Sequence, residues 1–370
     1  MEYNKVFILS PFSMEELQKS EFGGARLIWE QLKYFKSEGL QTFLVDLSNF
    51  YSPLSIIHKL CCSIRRKSMQ GKPIKTFKAE KIRWLFNLFY ILTVEFVGKI
   101  DPFLRIWLKK EIDKDSSLVL YNYPYGASII LNLKKATKAI YEHNVEWIFY
   151  EDKLRGGSFQ LPIKLLKFVE LFNLRKMDVV FCTNKRDMYI ITAEGIDPRK
   201  IQIFIPLSFR GKTLINIKRA PLNLVKILEG KRIIGFVGSA FEPNIVAVKN
   251  ILKIARDVPS NFTFLIMGSV CKIFEGLKSP PPNVIFIGHV DNLNQYLALC
   301  DAFVNPKTTS HTGIEIKMFD YLKYAKPIIS TEIGGSGFEG FENVIICDLG
   351  SFPQKLIEVL GADKFENRKE

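Results

Sequence analysis

Residues 305–337 read NPKTTSHTGIEIKMFDYLKYAKPIISTEIGGSG. The order is strand end, polar loop, helix, proline stop, second strand and glycine-rich loop. Asp301 to Val304 is a short apolar run before it, and Pro306 to His311 is the loop that follows. Thr312 stands three residues before Glu315, the spacing of a capping box, so a helix is expected to begin there. Ile316, Phe319 and Leu322, with Met318 beside them, give it one apolar face, and Lys326-Pro327 ends it.

A helix that starts at the carboxyl end of a strand exposes amide groups and a positive dipole end, which suits an anion such as a diphosphate. Lys317 adds a formal charge to the first turn. Asp320, one turn on, accepts hydrogen bonds and suits sugar hydroxyls. The alternative reading is a capped helix with a solvated Lys–Asp pair.

The string Gly313-x-x-x-Lys317-Met318-Phe319-Asp320-Tyr321-Leu322, followed by Lys326-Pro327-Ile328-Ile329-Ser330-Thr331 and Gly334-x-x-Gly337, resembles the donor-binding signature of glycosyltransferase family 4. Asp320 stands where that family places its ribose-holding glutamate, and Thr312 where it places an earlier one, as in a branch with small residues there. The resemblance implies an α/β chain of GT-B fold, two doubly wound Rossmann-like domains facing a central cleft. It also implies transfer of a hexose-type sugar from a nucleoside diphosphate sugar, with retention at the anomeric carbon. The donor set it implies is Gly238, Ser239, Val290, Thr312, Gly313, Ile314, Glu315, Ile316, Lys317 and Asp320. UDP- or GDP-sugar enters as substrate, with no metal or other cofactor.

Working outward, strands and helices alternate twice along the chain. In the first pass Lys5 to Leu9 is a strand, followed by a long loop, and Gly23-Gly24 opens a helix running from Ala25 to Ser37. Arg26 sits just inside that helix. Ala139 to Tyr141 leads into Glu142-His143-Asn144-Val145-Glu146, a polar cluster at a strand end. The run is similar to the HNVE string of family 4, which implies His143 beside the transferring sugar and Glu146 near acceptor or developing positive charge. By the same resemblance Gly23, Gly24 and Arg26 belong to a loop facing the cleft.

The second pass starts at Ile233 to Val237, with Gly238-Ser239 as its turn and Pro243-Asn244 as a helix start. FVGSAFEPN is similar to a family variant without the usual Arg and Lys in this loop, so Lys317 and backbone amides are expected to carry the diphosphate charge. Gly288-His289-Val290 resembles the segment that meets the nucleobase. The expected domains are residues 1–210, binding acceptor; 211–350, binding nucleotide sugar; and 351–370, a terminal helix and tail.

Bulk properties bound the partners. The 370 residues carry Lys+Arg 52 against Asp+Glu 38, a net +14, so anions are expected: nucleotide phosphates, an acidic membrane surface or nucleic acid. Nucleic acid is not expected for a transferase. The six cysteines form no CxxC pair and read as reduced thiols without a metal framework. The N-terminus lacks a signal-peptide pattern, which places the expectation in the cytoplasm. Between Lys59 and Val97 a basic stretch runs into an aromatic-rich apolar one. It reads either as a contact with an anionic membrane, making the chain peripheral at the inner face, or as a solvated loop before a buried helix. Asp113-Lys114-Asp115 matches a DxD string but reads as surface charge at a helix end. The acceptor expected is a saccharide or lipid-linked saccharide. Two other readings stay open: a nucleotide-sugar epimerase of similar fold, and a non-catalytic binder of anionic lipid or nucleic acid.

Overall fold

The structure is a computed structural model that describes residues 3–19, 23–47, 102–113, 117–154, 159–207, 222–309 and 312–361, with short pieces between 88 and 95. The Lys59 to Arg83 stretch, and most of the segment on to Val97, lies outside the described residues. The chain divides into two compact units. One is Met1–Ser208 with His311–Ile314; the other is Phe209–Ser310 with Glu315–Glu370.

The first unit is a six-stranded sheet in the order β2-β1-β3-β4-β5-β6, with every described pairing parallel. Its strands are β1 (Lys5–Ser10), β2 (Gln41–Asp46), β3 (Leu118–Asn122), β4 (Thr137–Glu142), β5 (Val179–Cys182) and β6 (Ile201–Ile203). Helices α1 (Met14–Lys19), α2 (Gly23–Ser37), α3 (Pro102–Glu111), α4 (Glu146–Lys153), α5 (Gln160–Lys176) and α6 (Lys185–Ala193) connect them. Val6 pairs with both Thr42 and Leu118, so β1 is a central strand. Strands β3 and β5 are buried at every position, as a parallel sheet with both faces covered requires; their sequences LVLYN and VVFC are accordingly near-continuous apolar runs.

Helix α1 lies within what the sequence suggested was loop. Its start is a reciprocal cap: the Ser13 amide donates to Glu16 Oε2 at 2.9 Å and the Glu16 amide to Ser13 Oγ at 3.3 Å. Asp113 also differs from expectation. It is buried, and its carboxylate accepts from the amides of Lys134, Lys135 and Ala136. It anchors a loop and is not surface charge. Despite burial, those amides hold its carboxyl below the usual range.

The second unit repeats the plan with order β12-β11-β10-β7-β8-β9. Its strands are β7 (Arg232–Val237), β8 (Phe262–Met267), β9 (Val284–Gly288), β10 (Ala302–Asn305), β11 (Ile328–Ser330) and β12 (Val344–Ile346). Its helices are α7 (Leu222–Ile227), α8 (Glu242–Ile254), α9 (Leu293–Leu297), α10 (Lys317–Leu322) and α11 (Phe352–Gly361). The chain winds outward from β7 to β9, then returns to place β10 on the other side of β7. In open α/β sheets ligands sit at the carboxyl ends of the strands flanking such a reversal. Here those ends are Gly238-Ser239 and Asn305.

Candidate active site

In the second unit, the turn after β7 is held in place by backbone. The Gly238 amide donates to Met267 O at 2.9 Å, and its carbonyl accepts from the Val270 amide at 3.1 Å. Gly268, at φ 99°, in turn donates to Gly288 O at 2.7 Å. The loops after β7, β8 and β9 are therefore tied along one sheet edge, and Val290 follows directly on that edge. A Cβ on Gly238 would press on Phe236 and Asn244, so only glycine fits without a shift. Asn244 donates through Nδ2 to Ser239 O at 3.1 Å and Oγ at 3.3 Å, which leaves its Oδ1 as an acceptor.

That acceptor meets Lys317. Its Nζ donates to Asn244 Oδ1 at 2.7 Å and Asn305 Oδ1 at 3.4 Å, sits 3.3 Å from Glu315 Oε2, and lies 4.4 Å from the Phe236 ring centroid. Lys307, which the sequence reading passed over, reaches Glu315 Oε1 at 2.5 Å from the other side. Burial alone would raise the Glu315 carboxyl, but the two ammonium groups hold it down to about 2. Burial lowers the pKa of Lys317, and Glu315 opposes that shift. Two cations on one anion leave the largely buried cluster with a net charge of +1 (2 − 1), the electrostatic condition for holding a further anion.

The helix is shorter than its sequence suggested. Helix α10 begins at Lys317 with Ile316 as N-cap and no side-chain cap. Glu315 faces the two lysines and does not turn back to cap, so the Thr312–Glu315 box is not formed. The Met318 and Phe319 amides donate to Glu315 O and Ile316 O, at 3.0 and 3.1 Å. The positive character of this site consequently rests on Lys317 and Lys307 more than on free amides. Tyr321 fixes the helix to β7: its hydroxyl accepts from the Val237 amide at 2.8 Å and its ring stacks on Phe303 at 4.5 Å. Asp320 pairs with Lys323 at 3.1 Å.

Thr312, Gly313 and Ile314 belong to the first unit, whereas the rest of the expected donor set belongs to the second. Thr312 Oγ1 donates to Val145 O at 3.4 Å, and the Gly313 amide to Asp187 Oδ2 at 2.8 Å. Gly313 has φ 82°, and a Cβ there would stand 2.6 Å from His143 O. Glycine is required for both reasons.

His143 follows β4 and is buried. Its Nε2 is 2.8 Å from Asn122 Oδ1, and Asn122 exchanges hydrogen bonds with Gln31 of α2 at 3.0 and 3.2 Å. An amide oxygen only accepts, so Nε2 carries the proton and Nδ1 presents a lone pair. Among the described residues Nδ1 has no partner. Burial depresses the imidazole pKa to about 3, so the ring is neutral at physiological pH. Tyr123, at φ 77°, stacks on it at 4.3 Å. Gly24 lies against the Tyr123 hydroxyl, while Gly23 and the half-buried Arg26 occupy the first turn of the same helix.

Gly24 yields a prediction whose sign opposes helix propensity. Within a helix, Gly→Ala ordinarily stabilises by about 0.5–1 kcal/mol. Here the new methyl collides with the Tyr123 hydroxyl, so Gly24→Ala should destabilise by about 1–3 kcal/mol, read from the urea midpoint.

Behind His143 lies a set of buried acids. Helix α4 has no side-chain cap of its own; Glu170 of α5 supplies one, accepting from the Glu146 and Trp147 amides at 3.0 and 3.2 Å. Glu142, also buried, neighbours Glu170, and burial followed by that neighbour pushes its carboxyl well above the usual range. Burial raises Glu146 to about 8, Glu170 to about 7 and Asp187 to about 6. Glu146 is therefore largely protonated near neutral pH and offers a hydroxyl proton; as a counter-charge it is poorly suited. A cavity of about 490 Å³ lined by Phe7, Phe43 and Trp107 lies elsewhere in the first unit, and none of these residues lines it.

Residues 231–361 match the family model described as Glycosyl transferases group 1, about a third of the chain. No curated protein matches the chain. Among solved structures, Anabaena Alr3699/HepE in complex with UDP is 10% identical with a TM-score of 0.56, over 96% of this chain and 90% of that one. The lipopolysaccharide outer core galactosyltransferase WaaB is 11% identical at TM-score 0.53, with the same coverage. The chain spans only 50% of TarM, at 18% identity and TM-score 0.48. Two parallel six-stranded sheets with flanking helices give the chain the GT-B fold, and residues 231–361, built on the second sheet, are similar to the family described as Glycosyl transferases group 1.

Proposed function

We propose that the protein moves a hexose-type sugar from a UDP- or GDP-sugar to a saccharide or lipid-linked saccharide acceptor, with retention of anomeric configuration. The carrying observation is the largely buried Lys307–Glu315–Lys317 cluster with its excess positive charge, beyond the carboxyl ends of the neighbouring strands β7 and β10. Charge accumulates on the departing diphosphate in the transition state, so fixed ammonium groups in a dry site act where stabilisation is worth most. Lys317 and Lys307 supply that charge without a metal. The first-unit residue singled out is His143, buried and neutral with an unpartnered Nδ1 among the described residues, and the likeness of its string to the family's supports its place near the transferring sugar. The retaining course and the lipid-linked acceptor extend the family resemblance and the basic character of the chain. That HepE was solved in complex with UDP supports a nucleoside diphosphate as ligand.

Calorimetric titration of the protein with UDP and with GDP tests the reading. One nucleotide should bind, and Asp320→Ala should weaken it about tenfold, the worth of a single charge-assisted hydrogen bond to ribose. Absence of heat with both nucleotides would remove the proposal.

A further inference from the structure

Helix α5 (Gln160–Lys176) is apolar on two opposite faces. Ile163, Leu166, Leu171 and Leu174 are buried in the core of the first unit. On the other side Leu161 is 78% exposed, Leu165 48% and Phe168 64%, with Phe172 half-buried and stacked on Phe168 at 6.3 Å. The spacings of four, three and four put these residues within roughly 60° of arc on an α-helix, opposite the buried stripe. They run for about 16 Å along the axis. A contiguous apolar strip on a helix already packed through its other side marks a contact surface.

Charge identifies what it contacts. Lys164, Arg175 and Lys176 are exposed and flank the strip. The helix carries one acid, Glu170, and that is buried as the cap of α4. The nearby Glu194 is already matched by Lys167 at 2.7 Å. A second copy of the same face would bring like charges together. An anionic bilayer is complementary on both counts: rings and leucines enter the interface while cations meet headgroups.

We propose that α5 is a membrane-docking helix that lies in the plane of an anionic lipid surface. The inference stands on this surface alone and not on the transferase reading.

The test is co-sedimentation of the full chain with phosphatidylglycerol/phosphatidylcholine vesicles and with phosphatidylcholine vesicles. Wild type should bind the first and lose most of that binding in high salt. Leu161→Ser/Leu165→Ser/Phe168→Ser should reduce it at least about tenfold, and Lys164→Glu/Lys176→Glu by a comparable factor, because both the apolar and the electrostatic contributions are needed. These side chains are exposed, so the unfolding temperature should not move, which separates lost docking from lost fold. Equal vesicle binding by wild type and the triple variant would overturn the proposal, as would failure of wild type to bind. So would a wild-type dimer in gel filtration that the triple variant abolishes without altering vesicle binding.

Discussion

Lys317→Met is expected to lower kcat/KM for donor by about 10²–10³, comparable to removing one fixed donor from an oxyanion site. The side-chain volume is nearly conserved over Phe236, and Lys307 still neutralises Glu315. The fold is therefore retained while the cluster falls from +1 to zero. Lys307→Met should do less, about tenfold, because its only ion-pair partner among the described residues is Glu315, whereas Lys317 is oriented by two asparagines as well. Steady-state turnover of the donor identified by titration provides the measurement. Wild-type rates in Lys317→Met would show that the diphosphate is held elsewhere.

The first unit should become less stable as pH rises, the reverse of what acid-sensitive carboxylates produce. Glu142, Glu146, Glu170 and Asp187 are buried close together, with Cys182 and the neutral His143 beside them; among the described residues no cation is buried in the group, and the exposed Arg186 only partly offsets the shift of Asp187. Their folded pKa values are raised, so the native state binds protons that the unfolded chain has released. Stability from these groups is complete below the ordinary carboxylate range. It is lost as pH climbs through about 6, 7 and 8, where Asp187, Glu170 and Glu146 titrate in the native state. One pKa unit corresponds to about 1.4 kcal/mol, so a drop of several kcal/mol is expected, or on the order of 5–10 °C in unfolding temperature between about pH 6 and about pH 9. Glu142→Gln removes one member while keeping its shape and should flatten the profile. A wild-type unfolding temperature that rises over this range would contradict the assignment.

Much of the architecture could be read from local patterns. Apolar runs such as LVLYN and VVFC mark strands buried on both faces, whereas the helix expected to run to Lys326-Pro327 ends at Leu322, with Ala325 at φ 49° between it and the proline. Lys317 and His143 stood out in the sequence because each lies in a distinctive string; the structure places Lys317 at the start of α10 and His143 directly after β4. Helix α5 was not, because its exposed strip is as apolar as its buried one and the helical period is blurred. Helix α1 carried a readable signal in Ser13-x-x-Glu16 that the sequence reading missed.

Secondary structure was fixed by residues close together in the chain, since hydrophobic period, caps and proline stops act over a turn or a pleat. The chemistry of the sites was not. Glu315 pairs with Lys307, 8 residues away, across a non-helical loop, and Lys317 is oriented by Asn244, 73 residues away, which the return of the chain from β9 to β10 brings beside it. The tautomer of His143 depends on Asn122 and Gln31, and the cap of α4 on Glu170, 24 residues away. Charge and proton position respond to burial and to whichever group lies within a few ångströms, and neither is defined until the chain has folded.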